Sequence, residues 1–238
     1  MNIFVYDESL KNSLKQVRSI ENNLNSLGLN GKIVYDSNFT DRSIQLEVLN
    51  GAKTIISVGN NQTLHKIINS VMRAQIKEDL IFGIIPVGPQ NSIANSLGVK
   101  DEKSACQIIL ARRLERIDVA RAGEEYFLES AKITSEYTSV EIDGYTLSSL
   151  IKGDIVFNNL CSTKNYKSSP QDGFLEIVVS NKNNNQLLKA SDALVKNQKG
   201  LLITLDGFSN VATPAKIIVK KNHFNFIVGK ERYFGSVQ

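Results

Sequence analysis

The stretch Val58-Gly59-Asn60-Asn61-Gln62-Thr63-Leu64 decides how the rest of this 238-residue chain is read. It follows Thr54-Ile55-Ile56-Ser57-Val58, which is apolar or β-branched except at Ser57. It precedes a segment with Leu64, Ile67, Ile68, Val71 and Met72 at the helical period. A buried strand therefore passes into an amphipathic helix from about Gln62 to Ala74. Backbone N–H groups at such a junction lack partners and the helix dipole turns its positive end outward, which suits an anion. A second junction has the same form: the apolar run Ile81 to Val87 leads through Ile85-Pro86-Val87-Gly88-Pro89-Gln90-Asn91 into a short helix from Ser92 to Leu97, ended by Gly98. Read singly, each loop is equally a plain strand-to-helix turn. Gly and Asn tolerate positive φ, and Thr63 or Asn91 suits a cap.

Outward from these loops the first half keeps alternating. Ile3 to Tyr6 and Lys32 to Tyr35 read as strands. Leu10, Leu14, Val17, Leu24 and Leu27 share one helical face closed by Gly28, and helices are expected over Ile44–Leu49 and Ser104–Arg112. Apolar strands alternating with amphipathic helices predict a parallel sheet covered on both faces, with ligands at the carboxyl ends of the strands. The pattern changes near Asp118. From Phe127 the runs are short, rich in Val, Ile, Thr, Phe and Tyr, and punctuated by Asp143-Gly144, Asp172-Gly173, Lys199-Gly200 and Asp206-Gly207, with Asn183-Asn184-Asn185 as a hairpin tip. The expected architecture is an α/β domain over residues 1–122, an antiparallel β-sandwich over 123–230, and a tail, 231–238, returning to the first domain.

Composition adds bounds. Apolar residues make up 42% and charged residues 22%, ordinary values for a globular protein. No apolar run approaches the roughly 20 residues of a membrane-spanning helix, and the N-terminus reads as a strand rather than a signal peptide. Cys106 and Cys161 have no metal-ligand spacing, so a reducing cytoplasm is the expected location. The net charge of +4 is spread out, with clusters at Arg112-Arg113-Arg116 and Lys220-Lys221. These read as solvated surface or as a weak attraction to anionic lipid, placing the chain at the membrane periphery. Basic residues without interleaved aromatics argue against nucleic acid. His65 is expected to be a partly exposed helix residue and His223 a strand or turn residue; neither has the partners of a triad.

Taken together the loops carry more. Gly59 and Gly88 lie 29 residues apart, and Asp118 lies 30 beyond Gly88. In that order and spacing, Gly59-Asn60-Asn61-Gln62-Thr63, Pro86-Val87-Gly88-Pro89-Gln90-Asn91, Ile117-Asp118, Asp172-Gly173-Phe174-Leu175-Glu176 and Leu205-Asp206-Gly207 resemble the motifs of the diacylglycerol kinase catalytic-domain family. Sphingosine kinases and, more distantly, NAD kinases are related to it. The resemblance implies the α/β plus β-sandwich fold and phosphorylation of a lipid hydroxyl from ATP with Mg²⁺. It places nucleotide phosphates at Gly59, Asn60, Asn61, Gln62, Thr63, Gly88, Pro89 and Asn91. It also implies a structural Mg²⁺ held by Asp172 with the carbonyls of Ser169 and Phe174, a lipid or membrane surface as partner, and leaves a homodimer open.

The departures fall on the chemistry. The family's loop is Gly-Gly-Asp-Gly-Thr, and here Asn61 stands in place of the Asp that serves the metal-bridged phosphates. Asn60 and Gln62 replace glycines, and Pro89 removes an N–H from the second loop. Phe208 stands where the family's Asp-Gly-Glu motif has its general base, and phenylalanine cannot accept a proton. Asp206 remains as an acid candidate, but it points the wrong way for catalysis if it lies in a strand. Tyr6-Asp7-Glu8-Ser9 replaces the family's Asn-Pro-x-Ser-Gly opening. Two functions are therefore weighed, an active lipid kinase with an atypical site and a non-catalytic relative that binds nucleotide or lipid as a regulatory module.

Overall fold

Alternating apolar runs and amphipathic segments of the first half form alternating strands and helices in a computed structural model, which describes residues 1–148, 152–161, 167–181 and 184–234. The strands are β1 (Asn2–Tyr6), β2 (Gly31–Tyr35), β3 (Thr54–Gly59) and β4 (Ile81–Pro86). The helices are α1 (Leu14–Ser26), α2 (Asp41–Leu49), α3 (Asn61–Arg73), α4 (Ser92–Ser96) and α5 (Glu102–Ala111). The later strands are β5 (Leu114–Ala122), β6 (Glu125–Phe127), β7 (Ser130–Thr134), β8 (Thr138–Ile142), β9 (Tyr145–Ser148), β10 (Gly153–Asn158), β11 (Leu175–Asn181), β12 (Asn184–Ala190), β13 (Asp192–Asn197), β14 (Leu202–Leu205), β15 (Ser209–Ala212) and β16 (Ala215–Ile227). The chain divides into two units: Met1–Arg116 with the described residues from Phe224 to Phe234, and Ile117–His223.

In the first unit β1 to β4 form a parallel sheet in the order β2-β1-β3-β4, and the last residues of β16 join beside β4 with Asn225 opposite Ile81. Every residue of β3 is buried, as are the last four of β1 and the last five of β4, which is why these strands read as unbroken apolar runs. β2 is the edge and Ile33 there is exposed. The register decides the site. Tyr6 pairs with Val58 and Gly59 with Pro86, so the chain after β1, the Gly59 loop and the Gly88 loop leave one end of the sheet side by side. The chain after β16 also stays in this unit. Val228 N–H donates to Arg113 O, Gly229 N–H to Leu97 O, and Arg232 pairs with Glu115 at 2.5 Å.

Two local expectations need correction. The apolar face running from Leu10 to Leu27 is not one helix. Asp7 caps a 3₁₀ turn over Glu8–Asn12, Ser13 breaks it, and α1 then buries Val17, Ile20 and Leu24 while Leu14 is 63% exposed. A 3₁₀ turn advances fewer residues per turn than an α-helix, so the apolar phase resets at Ser13. α2 starts three residues before Ile44, because Thr40 and Ser43 cap its end reciprocally.

The second unit is antiparallel. One sheet runs β12-β11-β10-β7-β14-β15; in the other, β16, β13, β8 and β9 lie in that order. Alternate residues face a shared core, with Ile155 and Phe157 from β10, Leu175 and Ile177 from β11, Ile203 and Leu205 from β14, and Val195 from β13. The β11–β12 hairpin pairs Asn181 with Asn184. Asn184 and Asn185 therefore belong to a strand rather than the tip, and Asn183 lies outside the described residues. Cys106 is buried on α5. No helix among the described residues is long and apolar enough to cross a membrane.

Candidate functional site

The Gly59 loop satisfies its own donors. Asn60 is the N-cap of α3, and its side-chain oxygen accepts from the N–H of Gln62 at 2.9 Å and of Thr63 at 3.3 Å. Those are the N–H groups that a bound phosphate would use at a helix N-terminus. The caps expected from sequence fall elsewhere: Thr63 donates its hydroxyl to Asp7 Oδ2 at 2.7 Å, and Asn91 donates to Gly88 O rather than capping α4. Asn61 is buried and ties the two loops together. Its amide donates to Ser92 Oγ at 2.7 Å, its oxygen accepts from Ile93 N–H at 3.3 Å, and its N–H donates to Gln90 O. Asn61 thus caps the second helix from the first loop. Gly59 is required by close approach, since a Cβ there would lie 2.4 Å from Thr63 Oγ1. Gly88 is required by its φ of +74°.

A cavity of about 190 Å³ opens beside this loop, walled by Asp7, Ser9, Ser13, Gly59, Asn60 and Gly88 among others, with no lysine or arginine among the described residues of its wall. Small-molecule sites usually measure ~300–1,000 Å³. Among the described residues its one charged wall residue is Asp7. Burial pushes the Asp7 carboxyl up, but the hydroxyls of Ser9 and Thr63, the Ser9 N–H and the Lys66 ammonium outweigh burial and hold it below the usual carboxylate range. The nearby ammonium of Lys66 itself pairs with Asp36 at 2.6 Å, and Lys11 pairs with Glu8. An ionised carboxylate and a self-capped helix end both oppose an incoming phosphate.

A pH dependence follows. Because its folded-state pKa is lowered, Asp7 contributes stability that is present above the ordinary carboxylate range and is lost as pH falls through the lowered value. Asp7→Asn is expected to be less stable than the wild type at pH 7, with the difference closing below about pH 4. Denaturant titrations across this range check it; a difference constant down to pH 2 would contradict it.

The second unit holds the remaining candidates. Asp206 opens the three-residue connection between β14 and β15, in the left-handed region at φ +49° with Gly207 at +80°, and the Phe208 N–H closes the turn on Leu205 O at 2.9 Å. Its carboxylate is buried and accepts from the N–H groups of Leu128, Glu129 and Ser130 at 3.1, 2.8 and 3.1 Å. The acid candidate therefore fastens the β6–β7 connection, and Phe208 follows it as a half-buried turn residue. Asp118, from the Ile117-Asp118 motif at the start of the second unit, is fully buried. Its oxygens accept from Gly173 N–H at 2.7 Å and Asn222 N–H at 2.6 Å, and burial lifts its carboxyl above the usual range despite these bonds. His65, expected to be partly exposed, is buried with Nε2 3.3 Å from the Asn69 amide; an amide four residues on partners its ring along the helix. His223 lies at the second unit's end of β16, its pKa lowered by burial and by Lys220.

The magnesium implied by Asp172 with the carbonyls of Ser169 and Phe174 does not fit the donors present. Asp172 Oδ1 accepts from Phe174 N–H at 2.9 Å, and Oδ2 pairs with the Lys189 ammonium at 3.0 Å. Lys189 also pairs with Glu176 at 3.0 Å, and bonds to Glu176 and Asp172 raise its pKa, keeping it a cation. Among the described residues no cluster of three or more His, Cys, Asp or Glu side chains is placed to hold a metal ion.

Residues 3–122 match the family model of the diacylglycerol kinase catalytic domain, and the chain belongs to that family. Among its relatives, a "Probable lipid kinase YegS-like" protein of Chromohalobacter salexigens is 29% identical over 82 residues, covering 34% of this chain and 26% of that protein. Another of that description from Alcanivorax borkumensis is 29% identical over 100 residues, covering 42% and 33%. The matched stretches thus span about a third or less of those relatives. A crystal structure of a diacylglycerol kinase from Bacillus anthracis superimposes with a TM-score of 0.79 at 18% identity, over 96% of each chain, and shares the fold.

Proposed function

We propose that this chain is a diacylglycerol kinase-like protein that keeps the lipid-kinase fold with ATP-dependent phosphoryl transfer to a lipid hydroxyl severely impaired or absent. The observation that carries this reading is the Asn60 side chain, whose oxygen fills the donors of Gln62 and Thr63 where a phosphate would bind. Asn61 supplies no charge for Mg²⁺ and is committed to Ser92 and Ile93. Asp7 adds a negative charge to the cavity wall. Phe208 supplies no base, and a positioned base alone contributes about 10²–10⁴-fold. Phosphoryl transfer rests on positioning and on charge neutralisation, and both are weakened here.

What remains is a binding role, with a lipid surface as partner and the membrane periphery of the cytoplasm as location. The basic cluster after α5 offers limited attraction, since Arg116 pairs with Asp79 and Arg112 reaches Thr54 Oγ1. The test is transfer of radiolabelled phosphate from magnesium-ATP to diacylglycerol in mixed micelles. Incorporation is expected at the protein-free background. Incorporation that grows with time and protein concentration would overturn the reading.

A further inference from the structure

The acidic turn before β11 lies where the family resemblance implies magnesium, and its donors are already spent on a side chain of this protein. Glu176 and Lys189 are direct cross-strand partners in the β11–β12 ladder, so the ladder itself delivers the ammonium to the carboxylate. Lys189 Nζ then bridges Glu176 Oε1 and Asp172 Oδ2, both at 3.0 Å. The Glu176 side chain is only 3% exposed, and its Oε2 has no hydrogen-bond partner among the described residues. A buried carboxylate of this kind requires a counter-charge. Asp172 in turn orders the turn by accepting from Phe174 N–H, next to Gly173, whose N–H goes to Asp118.

We propose that Lys189 is a built-in cation that takes the place of a structural magnesium, holding the 169–174 turn against β11 without metal. The ammonium brings one positive charge to two carboxylates, on a strand that cannot dissociate. A divalent ion entering the same pocket would have to displace it and meet its repulsion. The turn is therefore independent of metal in this chain, and removing the lysine charge leaves the Asp172 and Glu176 carboxylates, oxygen ligands of the kind magnesium takes, without their counter-charge.

The experiment is thermal unfolding of wild type and Lys189→Met, each in EDTA and in millimolar MgCl₂, with calorimetric titration of MgCl₂ into both. The wild type is expected to melt at the same temperature in both buffers and to show no magnesium binding below millimolar. Lys189→Met is expected to melt several degrees lower in EDTA, to recover part of that loss in magnesium, and to lose the recovery when Asp172→Ala is added. A wild-type protein that binds magnesium tightly or melts lower in EDTA overturns the proposal. So does a Lys189→Met protein with no loss in EDTA, or with a loss that magnesium does not repair. If Lys189→Met folds in neither buffer, the wild-type titration decides alone: no binding upholds metal independence and binding refutes it. None of these readouts involves phosphoryl transfer, so the outcome is separate from that of the kinase assay.

Discussion

Asp206→Ala is expected to lower the unfolding free energy by about 3 kcal/mol or more, measured as a fall in denaturant midpoint at unchanged slope. The carboxylate accepts three backbone N–H groups, from Leu128, Glu129 and Ser130, inside the second unit. Leaving a buried donor without its partner costs about 1–3 kcal/mol each, less where water reaches the gap. The left-handed backbone at φ +49° adds to the loss, because alanine adopts it less readily than aspartate. Asp206→Asn should lose less, since one amide oxygen still accepts while the NH₂ faces a donor. The direction separates structure from chemistry. Residues held for catalysis are commonly neutral or stabilising when removed. A stability change under about 1 kcal/mol would contradict the anchoring role.

Much of the fold is legible along the chain because it is written in local pattern. The continuous apolar runs of β1, β3 and β4 mark strands buried on both faces, and Asp-Gly and Gly pairs mark the turns of the second unit. The misreadings arise where a local device overrides periodicity, as at Ser13 and at the Thr40–Ser43 cap. The candidate loops are legible by position but not by what their side chains do. Asn60 and Asn61 read as damaged phosphate-loop residues, yet their cap and brace depend on strand register and on Ser92 arriving from the next loop. Lys189 carries no local signal, and Asp118 is marked by its motif position but not by what its carboxylate does. Lys189 meets Glu176 only because the hairpin register sets them opposite, and Asp118 meets Gly173 and Asn222 across 55 and 104 residues of sequence.

The second large effect belongs to Asn60. Asn60→Gly combined with Asp7→Asn is expected to raise the affinity for pyrophosphate at least tenfold in a calorimetric titration. It frees two helix-terminal N–H groups and removes the wall charge, and a hydrogen bond to a charged group is worth about 1.5–3 kcal/mol. Exchanging an Asn cap for glycine costs only a few tenths of a kcal/mol, so the cap change itself should leave folding nearly intact. No gain in affinity would mean that the self-cap is not what closes the site.

The most direct test is the melting temperature of the wild-type protein with and without millimolar magnesium-ATP. A ligand at 100 times its Kd stabilises by about 2.7 kcal/mol, which in a chain of this size moves Tm by roughly 5–10 °C. A phosphate loop filled by its own Asn60 should leave Tm unchanged within about 1 °C. An upward shift of several degrees, saturating with ATP, would show an open nucleotide site and contradict the account.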